Sequence, residues 1–131
     1  MILRPATNDD CLYFFQLRCE PVASAMSRRR APTWEEHVRW WNQTTDLRFV
    51  AHEQTVRVGT LRLSREGIVS IIVDTNERGR GFGPEMLKAL EPYAQADGIH
   101  TMIAEVAWEN ERSQRAFLKA DWRPVLLEKH V

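Results

Sequence analysis

Ile68-Val69-Ser70-Ile71-Ile72-Val73, followed four residues later by Arg78-Gly79-Arg80-Gly81-Phe82-Gly83-Pro84, is the stretch that decides the fold. The apolar run reads as a strand, the glycines as a turn, and Pro84 as a residue of the first helical turn. A strand, a glycine-rich turn and a helix N-terminus in that order aim several backbone N–H groups at one point, where the helix dipole also favours an anion. A phosphate is the natural guest. The spacing excludes two common phosphate sites: a dinucleotide fingerprint needs G-x-G-x-x-G with an acidic residue about twenty positions on, and a triphosphate loop ends in G-K-[ST]. Read alone, the hexapeptide is equally an ordinary turn flanked by solvated arginines, so its neighbours must decide.

Upstream, Ile2 to Ala6 reads as a first strand. Thr7 and Asp10 then form a helix start, and the helix is expected to carry Leu12, Phe15 and Cys19 inward. Pro21 interrupts it, and Thr33 with Glu36 makes a second capping pair, opening a helix whose Trp34, Val38 and Trp41 recur at helical spacing. Leu47 to Glu53, Val56 to Ser64 and Ile68 to Asp74 read as an antiparallel meander, turned around Gln54 and Arg65-Glu66-Gly67. Downstream of the glycines, Phe82, Met86, Leu87 and Leu90 line one helix side, Pro92 is expected to kink or end that helix, and Asp97-Gly98 stops it. Thr101 to Val106 is expected as a buried strand, Asn110 as the cap of a helix to about Ala120, and Trp122 to Glu128 as a last strand.

Length and composition fit one soluble domain. The 18 basic and 18 acidic residues cancel, which gives no electrostatic support to a nucleic-acid or membrane-surface role. Neither a membrane-length apolar run nor a signal peptide is read, and a cytoplasmic location is expected. Cys11 and Cys19 stand about two turns apart on one helix, beyond bridging distance, and are expected to be reduced. His37, His52, His100 and His130 are scattered without ligand spacing, so no metal site is expected.

Two motifs carry a family resemblance. Arg78, Gly81 and Gly83 fit [RQ]-x-x-G-x-G, which resembles the pyrophosphate loop of the GNAT superfamily of acyl-CoA-dependent N-acetyltransferases, and Asn110 to Trp122 resembles that family's N-x-x-[SA]-x-x-x-Y-x-x-x-G-F segment, with Asn110 and Ser113 matching directly. The order of elements is similar to the GNAT fold over nearly the whole chain: an α/β (α+β) fold with a mixed, mostly antiparallel central sheet flanked by helices and a short C-terminus, one domain over 1–131. Three positions depart from the pattern. Phe117 stands where many members place a tyrosine that protonates the leaving thiolate, Asp121-Trp122 replaces Gly-Phe, and the end at Val131 leaves room for one strand where two are common. The sheet edge so exposed suggests a homodimer.

The resemblance implies acetyl-CoA as co-substrate, held by the backbone of Ile71, Ile72 and Val73, by Arg78, Gly79, Arg80, Gly81, Phe82 and Gly83, and by Asn110, Ser113 and Phe117. The backbone N–H groups around Ile72 and Val73 would also stabilise the reaction's oxyanion. An alkylammonium with a pKa of about 10 must lose a proton before attack. Glu105, matching a glutamate position of several GNAT enzymes, is the first choice of base, ahead of Glu109 and His37. Ser113 or a water is the candidate proton donor to the thiolate. The acceptor is expected under the segment Arg18 to Trp41, with Arg28, Arg29, His37 and Trp41 as candidate contacts. Its second helix looks similar to that of N-acetyltransferases acting on nucleotide-linked amino sugars, although the tryptophans are equally a core face and the arginines equally solvated. Peptide or ribosomal-protein N-terminal acetylation, and a non-catalytic acyl-CoA-binding regulatory module, remain as alternatives.

Overall fold

The structure is a computed structural model that describes residues 1–27, 29–125 and 129–131. Strand β1 (Ile2–Pro5) leads through a 3-10 turn (Asn8–Asp10) into helices α1 (Cys11–Cys19), α2 (Pro21–Met26) and α3 (Trp34–Gln43). Strands β2 (Leu47–Glu53), β3 (Val56–Leu63) and β4 (Val69–Val73) follow, then a second 3-10 turn (Thr75–Glu77), helix α4 (Phe82–Ala96) and helix α5 (Glu111–Lys119). The four strands form one sheet in the order β1-β2-β3-β4, every pair antiparallel. Among the described residues no helix is long and apolar enough to cross a membrane.

Alternation along the strands sends side chains to two unlike faces. Toward α4, Phe49, Leu61, Leu63 and Val69 meet Met86, Leu87 and Leu90 in an apolar core. Toward α1 and α3, Val50 meets Tyr13, Phe14, Leu17 and Trp41. This second face also carries buried polar groups, among them Asp10, His37 and Thr60.

Helix α1 buries Tyr13, Phe14 and Leu17, whereas Leu12 is 51% exposed and Phe15 and Cys19 are half-buried, so the expected inward face was wrong. The reason lies at Asp10. Residues 10, 13, 14 and 17 make one i, i+3, i+4, i+7 stripe whose first member is charged, and a search for apolar spacing starts instead at Leu12. Asp10 is buried because Arg4 of β1 grips both its oxygens, at 2.8 and 2.9 Å, and the Thr7 N–H donates to it at 2.8 Å. These bonds, the Arg4 pair foremost, lower its pKa. The second cap forms as read: Thr33 Oγ1 accepts from the Glu36 N–H at 3.2 Å, and Glu36 accepts from the Thr33 N–H at 2.9 Å.

Pro92 neither ends nor replaces a turn of α4, which runs on to Ala96. Pro92 and Lys88 are exposed, so the carbonyl that loses its donor faces water. Helix α4 ends at Gly98 (φ 78°), where the Gly98 N–H donates to Gln95 and the Ile99 N–H to Ala94, a Schellman closure.

Thr101 to Val106 is not a buried strand. Ile103 makes an isolated parallel bridge to Ile68, through Val69 N–H to Ile103 O and Ile103 N–H to Gly67 O, both 2.8 Å. The segment is extended, with Met102, Ala104 and Val106 packed on the α4-side core and Thr101, Ile103 and Glu105 exposed on the other side. Residues Trp122 to Val125 are not in a strand either, and the remainder of the expected last strand, Leu126 to Glu128, lies outside the described residues.

Candidate functional site

The end of β4 and the start of α4 are joined by a short, internally tied loop. Asp74 Oδ1 accepts from the Asn76 N–H at 3.0 Å, and Asp74 Oδ2 accepts from the buried Tyr13 hydroxyl at 2.9 Å. The loop is thereby anchored to α1. Arg78 then folds back: its Nε donates to Val73 O at 3.3 Å, and its Nη2 meets Glu20 Oε2 at 2.9 Å in a mostly buried ion pair. Glu20 also caps α2, accepting from the N–H groups of Val22 and Ala23. The guanidinium expected to lend its charge to a diphosphate therefore already holds α2 and the loop together. Arg80 pairs with Glu77 at 2.5 Å and lies 5.1 Å from the Phe82 ring centroid.

The glycines divide into two kinds. Gly79 and Gly81 both have φ 80°, a left-handed conformation that a Cβ disfavours, and a Cβ built there would meet nothing within 4 Å. They are required by backbone shape and face open space. Gly83 is needed for contact, since a Cβ there would lie 3.2 Å from that of Ala116 on α5 and 3.8 Å from Val73 Cγ2. Gly81 occupies the N-cap of α4, so no side chain caps the first N–H groups of that helix. They point out of the fold with the positive dipole end.

Beside this junction the edge of β4 opens. The Asp74 N–H donates to Val58 O at 2.8 Å, so even-numbered residues turn their backbone groups toward β3, and the Val69 bond to Ile103 shows odd-numbered residues turned outward. Ile72, expected to offer its backbone to a ligand, spends it on β3 opposite Thr60. Ile71 and Val73 present theirs to the open side. Past the Ile68–Ile103 bridge the two segments make no further pairing among the described residues. The result is a wedge-shaped gap leading from the β4 edge to the α4 N-terminus.

Helix α5 lines the gap's far side. Asn110 Oδ1 accepts from the Ser113 N–H at 3.2 Å, which leaves the amide nitrogen of Asn110 without a partner among the described residues. Ser113 is half-buried. Phe117 is buried and edge-on to Trp122 at 4.7 Å between centroids, a core residue and no longer a candidate ligand contact. Asp121, in place of the family glycine, has φ 69° and completes a Schellman closure in which Trp122 N–H reaches Phe117 O. Glu105 stands exposed two residues past the bridge, level with Ser70 on β4 and on the face away from α4. The base candidate thus borders the gap.

The acceptor contacts fare differently. Arg28 lies outside the described residues, and Arg29 is exposed. His37 and Trp41 are buried and offer no face to a ligand, which corrects their assignment as substrate contacts and His37 as a base. The His37 Nε2 lies 2.9 Å from Cys11 O, so it donates, and burial holds the imidazole pKa below its usual value. Trp41 Nε1 donates to Asn8 Oδ1 at 3.0 Å, with the Arg48 guanidinium 4.2 Å from its ring centroid. Sequence reading missed Tyr13, Asp74 and Glu20 as loop anchors. Nothing in their spacing announces them, because each partner is far along the chain. Two shallow concavities of about 300 and 390 Å³ lie elsewhere, one beside Leu12 and Trp34 and one beside Arg48 and Tyr93, with no part of the glycine loop in either.

Residues 1–123 match the family described as the acetyltransferase (GNAT) domain. No curated protein matches the sequence. Among solved structures, a domain from Methanocaldococcus jannaschii DSM 2661 superposes with a TM-score of 0.82 at 18% identity, covering 95% of this chain and 88% of that one. A spermidine N-acetyltransferase from Vibrio cholerae, in complex with CoA and spermine, gives 0.76 at 18% identity over 91% and 78%. An aminoglycoside acetyltransferase in complex with coenzyme A gives 0.75 at 16% over 90% and 81%. At these identities the superpositions establish a shared fold.

Proposed function

The chain belongs to the GNAT acetyltransferase family, and from that premise we propose that it moves the acetyl group of acetyl-CoA to a primary amine of a small molecule, a nucleotide-linked amino sugar being one candidate. The observation that carries the reading is the wedge beside β4: outward backbone groups at Ile71 and Val73, then an uncapped helix N-terminus behind Gly79 and Gly81. A pantetheine arm has two amides and pairs with such an edge as a strand would. A diphosphate suits the α4 N–H groups, and the Asn110 amide nitrogen is a donor for the arm.

The chemistry assigned to this chain's residues is a direct transfer. Glu105 takes a proton from the acceptor ammonium, freeing the nitrogen lone pair. That pair attacks the thioester carbonyl, and the oxygen, now an anion, is stabilised by the β4 backbone N–H groups at Ile71 and Val73. The C–S bond then breaks, giving an amide and a thiolate, which takes a proton from Ser113 or from water. A thiol pKa of about 8.5 makes the thiolate a fair leaving group, so Phe117 in the tyrosine's place need not stop turnover.

Calorimetry with acetyl-CoA tests the donor half. Gly81→Val is expected to weaken binding at least about tenfold, because a left-handed valine costs about 1–2 kcal/mol and its side chain enters the space in front of α4. Glu105→Gln is expected to bind acetyl-CoA as the parent does and to lose about 100-fold in kcat on an accepted amine. No saturable binding to the parent at millimolar acetyl-CoA would sink the reading. Binding with no turnover on any amine would favour the regulatory module instead.

A further inference from the structure

The face of the sheet away from α4 holds more positive charge than its partners neutralise. Arg62 on β3 donates from Nη2 to Ser70 Oγ of β4 at 3.3 Å, has Asp46 3.8 Å from Nη1, and lies 4.9 Å from the Trp40 ring centroid. Burial works first against its charge, and Arg18 and Arg29 add repulsion. Arg18 uses Nη2 to clasp the loop after α2, donating to Ser27 Oγ, Arg29 O and Arg30 O at 2.9, 2.8 and 3.1 Å. Its Nη1 is withdrawn from solvent and meets no acceptor among the described residues.

Other arginines of the chain are handled differently. Arg4, Arg30, Arg65, Arg78 and Arg80 each have a carboxylate within 2.9 Å. A buried guanidinium donor with no acceptor is costly, and so is a half-buried cation beside two others. An anionic oxygen supplied from outside removes both costs, and planar guanidiniums suit carboxylate and phosphate alike. The position is also apt. Ser70 directly precedes Ile71, whose backbone faces the gap, and Glu105 lies on this same face.

Resting on the acetyltransferase reading, we propose that the acceptor amine carries an anionic oxygen group, a carboxylate or a phosphate, seated on Arg62, Arg18 and Arg29 so that its amine is presented to the thioester beside Ser70 and Ile71. The same charge repels polyamines and other multiply cationic acceptors. A nucleotide-linked amino sugar satisfies the rule, and so does a simple amino acid.

Initial rates with acetyl-CoA are measured on β-alanine, phosphoethanolamine, 3-aminopropanol and spermidine, in the parent and in Arg62→Gln, Arg62→Lys and Arg18→Gln. The expected result is at least a tenfold advantage in kcat/KM for an anionic amine over the neutral and cationic ones, the first two substrates deciding between carboxylate and phosphate. Arg62→Gln and Arg18→Gln lose that advantage through KM, Arg62→Lys keeps part of it, and acetyl-CoA affinity and unfolding midpoints stay at the parent's values. Independently of any acceptor, inorganic pyrophosphate is titrated by calorimetry into protein saturated with CoA, whose own diphosphate occupies the glycine loop. Saturable binding lost in Arg62→Gln is expected. Preference for spermidine or aminopropanol, an anionic preference untouched by the arginine variants, or no pyrophosphate binding to the CoA-loaded protein overturns the proposal. Failure of acetyl-CoA itself to bind overturns the acetyltransferase reading instead.

Discussion

The two faces of the sheet solve different problems with the same strands. Toward α4, Leu61, Leu63, Met86, Leu87 and Leu90 are wholly buried and no charge intrudes. Toward α1 and α3, a carboxylate, an imidazole and two arginines sit among aromatic rings, each held by partners from another element. The first face supports the glycine loop, whose work is done by backbone groups and needs only a rigid platform. The second carries side-chain recognition, which needs charge placed where water is scarce. Stability on one face is therefore a matter of volume, and on the other a matter of protonation.

The largest effect that separates the faces is expected from Leu90→Ala. It leaves a cavity under α4 and should cost about 3 kcal/mol, at any pH from 5 to 8, in chemical denaturation. A strong pH dependence of that loss would break the distinction.

Next in size is Asp10→Asn on the other face, expected to cost about 2 kcal/mol at pH 7 by undoing the paired bonds to Arg4. Because the folded carboxyl pKa is lowered, its contribution is present above the unfolded value of about 3.9 and is lost as pH falls through the folded one. The difference between parent and variant should therefore shrink below about pH 4. His37 acts at a higher window with the same sign. Its folded pKa is lowered by burial, so the unfolded chain takes the proton first, and stability falls as pH drops below about 6.5. Denaturation of His37→Gln between pH 7.5 and 5 should be flatter than the parent's. An equally steep fall would place the acid-sensitive group elsewhere.

The smallest effect is expected at Asp121→Gly, which relieves a left-handed φ of 69° at the end of α5. A gain of about 0.5–1 kcal/mol should appear as a higher denaturation midpoint. A loss would mean that the aspartate side chain does more than tolerate the turn.

Much of the donor side was legible in the chain because it is local. A glycine pair fixes a left-handed turn within a few residues, Thr33 and Glu36 cap their own helix, and Asn110 caps the next. The meander was legible because alternation and turn residues repeat along it. The acceptor side was not, since its parts meet across the fold: Arg62 with Ser70 and Trp40, Arg18 with the loop after α2, and Tyr13 with Asp74.

By itself, then, the sequence determined the order of elements, the glycine turn that opens α4, and through its two motifs the family. Tertiary structure alone decided that Asp10 begins the buried stripe of α1, that His37 and Trp41 belong to the core, that Ile71 and Val73 rather than Ile72 face the gap, and that three arginines gather on one face. The physical reason is range. Helix caps, turns and strand alternation are set by neighbours a few residues away, while the burial and pairing of a charge depend on groups that folding alone brings together.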